Sequence, residues 1–139
     1  MIPPDPNQDP QRTQRRGGLV FRTGPTEFFL PADVVLRVLP MPKVQPLPGA
    51  PSEVLGFALV EGEAALLLGI GRQTPHLVVC AHGDDRVGLV GAQVLRTGLF
   101  AADPHGPGVI HNGRVVPTFD LAGICATAER GVSSARLSG

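Results

Sequence analysis

Residues 28–62 of the chain, FFLPADVVLRVLPMPKVQPLPGAPSEVLGFALVEG, place two apolar runs on either side of a proline-rich segment. The runs VVLRVL and VLGFALV are rich in β-branched and other apolar residues, which predicts half-buried strands. The prolines between them are Pro40, Pro42, Pro46, Pro48 and Pro51. Each proline fixes φ, removes a backbone donor and biases the preceding residue away from helix. The segment is therefore predicted to be an extended, pre-ordered crossover between two strands.

The composition excludes several classes of protein. The 139 residues carry 12 basic and 12 acidic side chains, so the net charge of zero offers no basic footprint for nucleic acid. No uncharged apolar run approaches the roughly 20 residues that cross a bilayer, which predicts no membrane insertion. The two cysteines, Cys80 and Cys125, show no spacing typical of a secreted disulfide framework. A reduced, cytoplasmic protein is expected.

The pattern along the chain predicts a single domain between two tails. Residues 1–17 have almost no apolar content, which predicts a disordered N-terminal tail. Residues 18–128 form the domain, and residues 129–139 are expected to be a flexible C-terminal tail. Ten short apolar segments with turn residues between them predict strands, as in a barrel or a sandwich: LVFR, EFFL, VVLRVL, VLGFALV, EAALLLGI, HLVVCAH, RVGLVGA, QVLRTGLF, GVIHN and RVVPTF. One short helix, LAGICATAER, is predicted to be capped by Asp120 and stopped by Gly131.

Two segments of the chain resemble each other weakly. LVEGEAALLLGI from Leu59 and IHNGRVVPTFDLAGI from Ile110 align when Gly62 is placed against Gly113. Each reads as a strand, a glycine turn and a strand. This pseudo-repeat predicts two similar small sheets in one chain, which favours an architecture of two barrels.

The sequence offers little reactive chemistry. No serine lies in a nucleophile elbow, and no acid and base are paired, so an enzyme is not expected. Asp84 and Asp85 lie between two strands, where aspartate favours turns. Cys80 and His82 would share one strand face, but a zinc site needs four convergent ligands at better spacing. We therefore predict no catalytic residues, no cofactor and no bound metal.

The ordered set of segments resembles the CheW family of chemosensory coupling proteins. Residues 28–62 resemble the first half of that family, HLVVCAHGDDRVGLVGAQVL resembles its central strand pair, and GVIHNGRVVPTFDLAGI resembles its closing strand pair. The likeness covers roughly residues 19–124.

The resemblance implies a mainly β protein with two small five-stranded SH3-like barrels and one short C-terminal helix. It also implies an adaptor without catalysis or cofactor, which joins the cytoplasmic tip of a methyl-accepting chemoreceptor to a CheA-type histidine kinase. Positions that match the family's partner contacts are Val35, Arg37, Gly56, Phe57, Glu61 and Gly62.

The chain also departs from the family pattern. The family usually carries Glu at the position of Arg37 and Arg at the position of Glu61, so the two charges have exchanged. This exchange predicts that Arg37 and Glu61 still meet, with reversed polarity. The connection from Ile70 to His76 is short where relatives are longer, which suggests that the kinase contact is altered or lost. Accessory adaptors of this kind occur in Frz-type systems of gliding bacteria, which the sequence resembles.

Two other functions stay open on the sequence. The chain could be a general β-barrel module that binds an extended or proline-rich peptide. It could also be a small metal or redox protein that uses Cys80 and His82.

Overall fold

A computed structural model describes residues 14–138, with side chains described up to residue 130. Within these residues ten strands precede one helix, and their bounds are as follows: β1 Arg15–Thr23, β2 Thr26–Pro31, β3 Val35–Pro40, β4 Val54–Val60, β5 Glu63–Gly69, β6 His76–His82, β7 Asp85–Val90, β8 Gln93–Ala102, β9 Val109–His111, β10 Arg114–Val116 and α1 Leu121–Ser138. Each of the ten predicted strand segments is present as a strand. The predicted fold class, two five-stranded β units with a C-terminal helix, is confirmed.

The first sheet has the strand order β10-β9-β8-β1-β2 and curls until its two edges meet. The amide of Phe29 in β2 donates to the carbonyl of Pro117, at 2.8 Å, and the amide of Phe119 donates to the carbonyl of Phe29, at 2.9 Å. These bonds join the end of β10 to β2. The first sheet is thereby closed into a small barrel, which leaves fewer unpaired edge groups.

The second sheet has the order β3-β6-β7-β5-β4, and the proline-rich segment closes it. Gln45, in the middle of that segment, exchanges both backbone hydrogen bonds with Phe57 of β4, at 2.7 and 2.9 Å. The neighbouring prolines have no backbone N–H to donate, so the segment contributes only this one pair of backbone hydrogen bonds to the sheet. The proline-rich segment, predicted as an extended crossover, therefore also completes the second barrel.

Three apolar clusters stabilise the fold. One fills the first barrel around Phe29 and Phe100, and another fills the second barrel around Leu67 and Val79. The largest lies between the two barrels and includes residues of both sheets and of α1: Leu19, Phe21, Leu30, Val54, Leu68, Val78, Cys80, Val87, Leu89, Ala92, Leu121, Cys125 and Ala128. Because both sheets and the helix bury side chains in this central cluster, the two barrels share one core.

The predicted pseudo-repeat corresponds to two hairpins with the same turn. Glu61 and Gly62 join β4 to β5 with φ of 54° and 82°, and Asn112 and Gly113 join β9 to β10 with φ of 52° and 74°. Two left-handed central residues define the tight turn that matches the twist of a hairpin. Both hairpins lie at a sheet edge, but the edge strand is the first of the pair in one sheet and the second in the other. The likeness is therefore local to the turn and its strands.

Two predicted boundaries are wrong. β1 begins at Arg15, inside the predicted tail of residues 1–17, because Arg15 and Arg16 pair with Ala101 and Phe100 of the long strand β8. Residues 1–13 lie outside the described residues. The Asp120 cap is confirmed, since its Oδ1 accepts the amide of Gly123 at 3.0 Å. The helix then passes through Gly131 to Ser138, because one glycine inside a helix costs only about 1 kcal/mol and no proline follows.

Candidate functional site

The predicted ion pair between Arg37 and Glu61 is present and forms part of a larger cluster. The two side chains are in direct contact, with 59 % and 45 % of their surfaces exposed. Glu61 also lies 3.7 Å from Arg86 of β7, and the Nε of Arg86 donates to a carboxylate oxygen of Glu63 at 2.8 Å. The four side chains, Arg37, Glu61, Arg86 and Glu63, alternate in charge, and we call them the charged cluster.

Sequence reasoning missed Arg86 and Glu63. Arg86 reaches the cluster because β7 runs parallel to β5, with Arg86 opposite Ala65. Parallel pairing depends on a crossover elsewhere in the chain, so no local pattern indicates it. Glu63 had a local signal, since it follows the turn glycine two positions after Glu61.

Glu61 adopts a left-handed backbone conformation in the β4–β5 turn. Glu61 has a φ of 54°, a conformation that costs a residue with a side chain about 1 kcal/mol. The equivalent position of the other hairpin is Asn112, a residue that tolerates this conformation better. A glutamate at this position is therefore less favourable for the turn itself. The two arginine contacts of Glu61 offset part of this cost and orient the side chain.

A row of apolar side chains follows the outer face of β4 next to the charged cluster. Leu55, Phe57 and Leu59 are 38 %, 38 % and 70 % exposed, while the residues between them are buried. An outward strand face is ordinarily polar when it contacts water only. We call these three residues the β4 face. Phe57 was among the residues predicted to bind partners. Leu55 and Leu59 were not, although the alternation of inward and outward positions along VLGFALV places them on the same face as Phe57.

Gly56 and Gly62 act through the backbone. Gly56 has a φ of 137°, and a Cβ atom there would come within 2.0 Å of the carbonyl oxygen of Gln45. The proline-rich segment can therefore close the barrel only over a glycine. Gly62 is the second residue of the β4–β5 turn, and a Cβ there would meet open space. Both glycines shape the surface that carries Phe57 and Glu61.

Val35 does not share a face of the sheet with Arg37, although both were predicted to contact partners. In a regular strand two residues that are two positions apart share a face, but β3 has a bulge between Val35 and Arg37. Val35 lies opposite Cys80, whereas Arg37 lies opposite Val79. Because Val79 and Cys80 are consecutive, their side chains point to opposite faces. Val35 accordingly packs against the central core and is only partly exposed.

The comparisons with known proteins now identify the family. The profile of the CheW-like domain matches residues 17–108 of the chain, which is more than half of its length. The chain belongs to the CheW-like family. Comparison of the chain with curated proteins finds no match.

A solved structure supports the same fold. This CheW-like chain is similar to the scaffolding protein TtCheW from Thermoanaerobacter tengcongensis, with a TM-score of 0.62 and 12 % sequence identity. The match covers 74 % of this chain and 87 % of the other chain. At that identity the likeness concerns the fold alone. Within the described residues of the CheW-like chain, no helix is long and apolar enough to cross a membrane.

The two thiols of the CheW-like chain lie in the central core. Cys80 and Cys125 are free and buried. Burial, reinforced by the other thiol, raises the pKa of Cys80 to about 12, and burial, reinforced by Glu129, raises the pKa of Cys125 to about 11. The thiolate form that binds metals and attacks disulfides is thus disfavoured. Among residues 14–138, no group of three or more His, Cys, Asp or Glu side chains could hold a metal ion.

We expect the stability of the protein to fall as the pH rises above 9. Cysteines in the unfolded chain lose their protons near the ordinary pKa of 9.0, whereas the folded chain keeps that of Cys125 until about 11 and that of Cys80 until about 12. The contribution of the thiols to stability is fully present below pH 9 and declines from pH 9 to about 11 for Cys125 and about 12 for Cys80, by up to about 1.4 kcal/mol per pH unit for each thiol. Urea unfolding at pH 8, 9, 10 and 11 measures the decline in stability, and the chain has no tyrosine to titrate in this range.

The control is the double variant Cys80→Ala, Cys125→Ala, whose stability should decline less steeply with pH. An equal decline in both proteins would show that the thiols do not contribute.

Proposed function

We propose that the protein is a non-enzymatic adaptor of a bacterial chemosensory array. It binds the cytoplasmic tip of a methyl-accepting chemoreceptor and couples the receptor to a CheA-type histidine kinase, with the kinase contact altered or lost. Membership of the CheW-like family and the fold likeness to a scaffolding protein support this proposal. The narrower proposal is an accessory adaptor of a Frz-type system of gliding bacteria, recruited to receptor arrays.

The observation that carries the proposal is the β4 face next to the charged cluster. Protein interfaces gain most of their binding energy from a few large apolar or aromatic side chains within a rim of charges. Phe57, with Leu55 and Leu59 beside it, provides the apolar part. Arg37 and Glu61 provide the exposed charges. Among the matched family positions, Arg37, Phe57, Glu61 and Gly62 lie at this surface, whereas Gly56 and Val35 support it from within.

The polarity of the charged cluster suits it to partner selection. An exposed ion pair stabilises a fold by only about 0 to 1 kcal/mol, so fold stability is a weak reason for this arrangement. Complementary charges at the rim of an interface do govern association rates and reject wrongly charged partners. A receptor or kinase that suits the usual order of the two charges would meet the opposite order here. The reversed pair therefore supports a dedicated partner.

The short connection between β5 and β6 supports an altered kinase contact. Only six residues, 70–75, separate β5 from β6. The amide of Met41 donates to the carbonyl of Pro75 at 2.9 Å, so the start of the proline-rich segment contacts this connection directly. A connection of this length presents a smaller surface than the longer connection of relatives.

Reversal of the charges tests the proposal. Arg37→Glu should weaken binding to the cognate receptor tip by about tenfold, because it places a third carboxylate beside Glu61 and Glu63. Adding Glu61→Arg should restore binding only in part, because it forms the ion pair again but in the usual order of charges, and because the new arginine would lie near Arg86. Isothermal titration with the purified tip measures both effects. Arg114→Glu on β10, an exposed arginine of the other sheet, is the matched control and should bind as the parent chain does.

The outcome of this cycle separates pairing from independent charges. Restoration in the double variant supports a coupled pair. If the double variant binds no better than the worse single variant, then the contact between the two side chains does not contribute to binding. All variants should unfold within about 1 kcal/mol of the parent chain, because the altered side chains are exposed.

A further inference from the structure

A cavity of about 550 Å3 opens at the turn of the β1–β2 hairpin, and no residue of the β4 face lines it. Its apolar wall consists of Phe28, Ile70, Phe119 and Ile124, all of them only partly buried. None of the six residues predicted to bind partners lines it. Its volume falls in the range in which proteins bind compact apolar groups.

The floor of the cavity is a cluster of three aromatic rings. Phe119 meets Phe28 edge to face, with ring centroids 5.3 Å apart, and meets Phe21 in the same manner at 5.4 Å. Phe21 and Phe28 are 5.7 Å apart. Phe21 is fully buried, so it fixes the other two rings from behind. A floor with this packing exists before any ligand arrives, which limits the entropy cost of binding.

Close backbone packing fixes the side wall of the cavity. The hydroxyl of Thr23 donates to the carbonyl of Ile70 at 2.7 Å. A Cβ atom on Gly71 would come within 2.2 Å of that hydroxyl oxygen, so only glycine allows this approach. The backbone of Gly71 also lies against Gly91. A Cβ atom on Gly91 would come within 2.6 Å of the carbonyl carbon and oxygen of Gly71. The short connection between β5 and β6 is therefore a rigid wall of the cavity.

The mouth of the cavity carries one cation. Arg72 is exposed, and within the described residues it makes no hydrogen bond or ion pair, unlike Arg37 and Arg86. The carboxylates that adjoin the lining residues in sequence are engaged elsewhere: Glu27 contacts His111 at 3.1 Å, and Asp120 caps α1. Arg72 is consequently available to a carboxylate that arrives with a ligand. Thr26 adds a hydroxyl at the same mouth.

We propose that this cavity binds a segment of a partner protein that carries a large apolar side chain next to an acidic residue. The apolar side chain enters between Phe28, Phe119 and Ile124, and the carboxylate pairs with Arg72. Since Thr26 and Arg72 are exposed at the mouth, a polypeptide backbone has access to it. This inference rests on the proposed function only in assigning the ligand to a partner protein.

Nuclear magnetic resonance titration of the full chain tests the site with two blocked tripeptides, acetyl-Gly-Phe-Glu-amide and acetyl-Gly-Phe-Gln-amide. We expect the acidic peptide to shift the methyl signals of Ile70 and Ile124 and to bind about threefold more tightly than the neutral peptide. Arg72→Gln, an exposed change that leaves the fold intact, should abolish that difference. Arg114→Gln is the matched control and should preserve it.

Other outcomes would overturn the proposal. Equal binding of both peptides, or no shift at Ile70 and Ile124 with either, would exclude a site for an acidic segment. Shifts with 3-phenylpropionate but not with the acidic peptide would indicate a small-molecule site instead. Peptide binding without binding to the receptor tip would overturn the receptor assignment alone, whereas receptor binding without peptide binding would overturn the cavity proposal alone.

Discussion

Gly56→Ala is expected to lower the free energy of unfolding by about 3 kcal/mol or more. The added Cβ would come within 2.0 Å of the carbonyl oxygen of Gln45 and 2.9 Å of the Cα of Pro46. Since the obstacle is backbone, no side chain can rotate away. The φ of 137° is in addition one that residues with a side chain rarely adopt. Relief requires the proline-rich segment to separate from β4, which breaks both hydrogen bonds that close the second barrel.

Urea unfolding of Gly56→Ala and Gly62→Ala side by side measures this effect. Gly62 has a left-handed φ of 82°, but a Cβ there meets open space, so its substitution should cost only about 1 kcal/mol. The difference between the two variants isolates the contact with Gln45. Equal losses of stability in the two variants would mean that the proline-rich segment does not pack against Gly56. They would contradict the claim that this segment closes the second barrel.

Leu59→Glu is expected to weaken binding to the receptor tip by at least about tenfold, with little change in stability. Leu59 is 70 % exposed, so the free energy of unfolding should change by no more than about 0.5 kcal/mol. In the complex, the carboxylate would be desolvated beside Phe57 and close to the acidic members of the charged cluster. Burial of an unpaired charge at an interface is strongly unfavourable.

The matched control for this variant is Val115→Glu. Val115 is 59 % exposed and lies on β10 of the other sheet, so the two substitutions introduce the same charge at similarly exposed apolar positions. Titration calorimetry with the receptor tip should show a loss of affinity for Leu59→Glu alone. An equal loss in both variants would indicate a general effect of charge, and unchanged affinity of Leu59→Glu would remove the β4 face from the interface.

Much of the fold could be predicted because its determinants are local. Alternation in VLGFALV predicts the half-buried strand β4, the Asn-Gly pair predicts the β9–β10 turn, and Asp120 predicts the start of α1. The contact of Arg37 with Glu61 was also predicted and is confirmed, although by resemblance to a family and not from spacing.

The remainder depends on non-local packing. The bulge in β3 separates Val35 from Arg37, and no residue type at Leu36 indicates it. Parallel pairing of β5 with β7 brings Arg86, at the start of a predicted strand, to Glu61 across 25 positions of sequence. The role of Gly56 follows from the approach of Gln45, which becomes visible only when the barrel is closed.

Binding of the purified protein to the cytoplasmic tip of its cognate chemoreceptor, and separately to the regulatory domain of the cognate histidine kinase, is the most direct test of the adaptor function. We expect the receptor tip to retain the parent chain and the Val115→Glu control at micromolar concentrations, and to lose Leu59→Glu. We expect the kinase alone to retain the chain weakly or not at all. Tight binding to the kinase in the absence of receptor would show that the kinase contact is intact. Absence of receptor binding by the parent chain would contradict the proposed adaptor function.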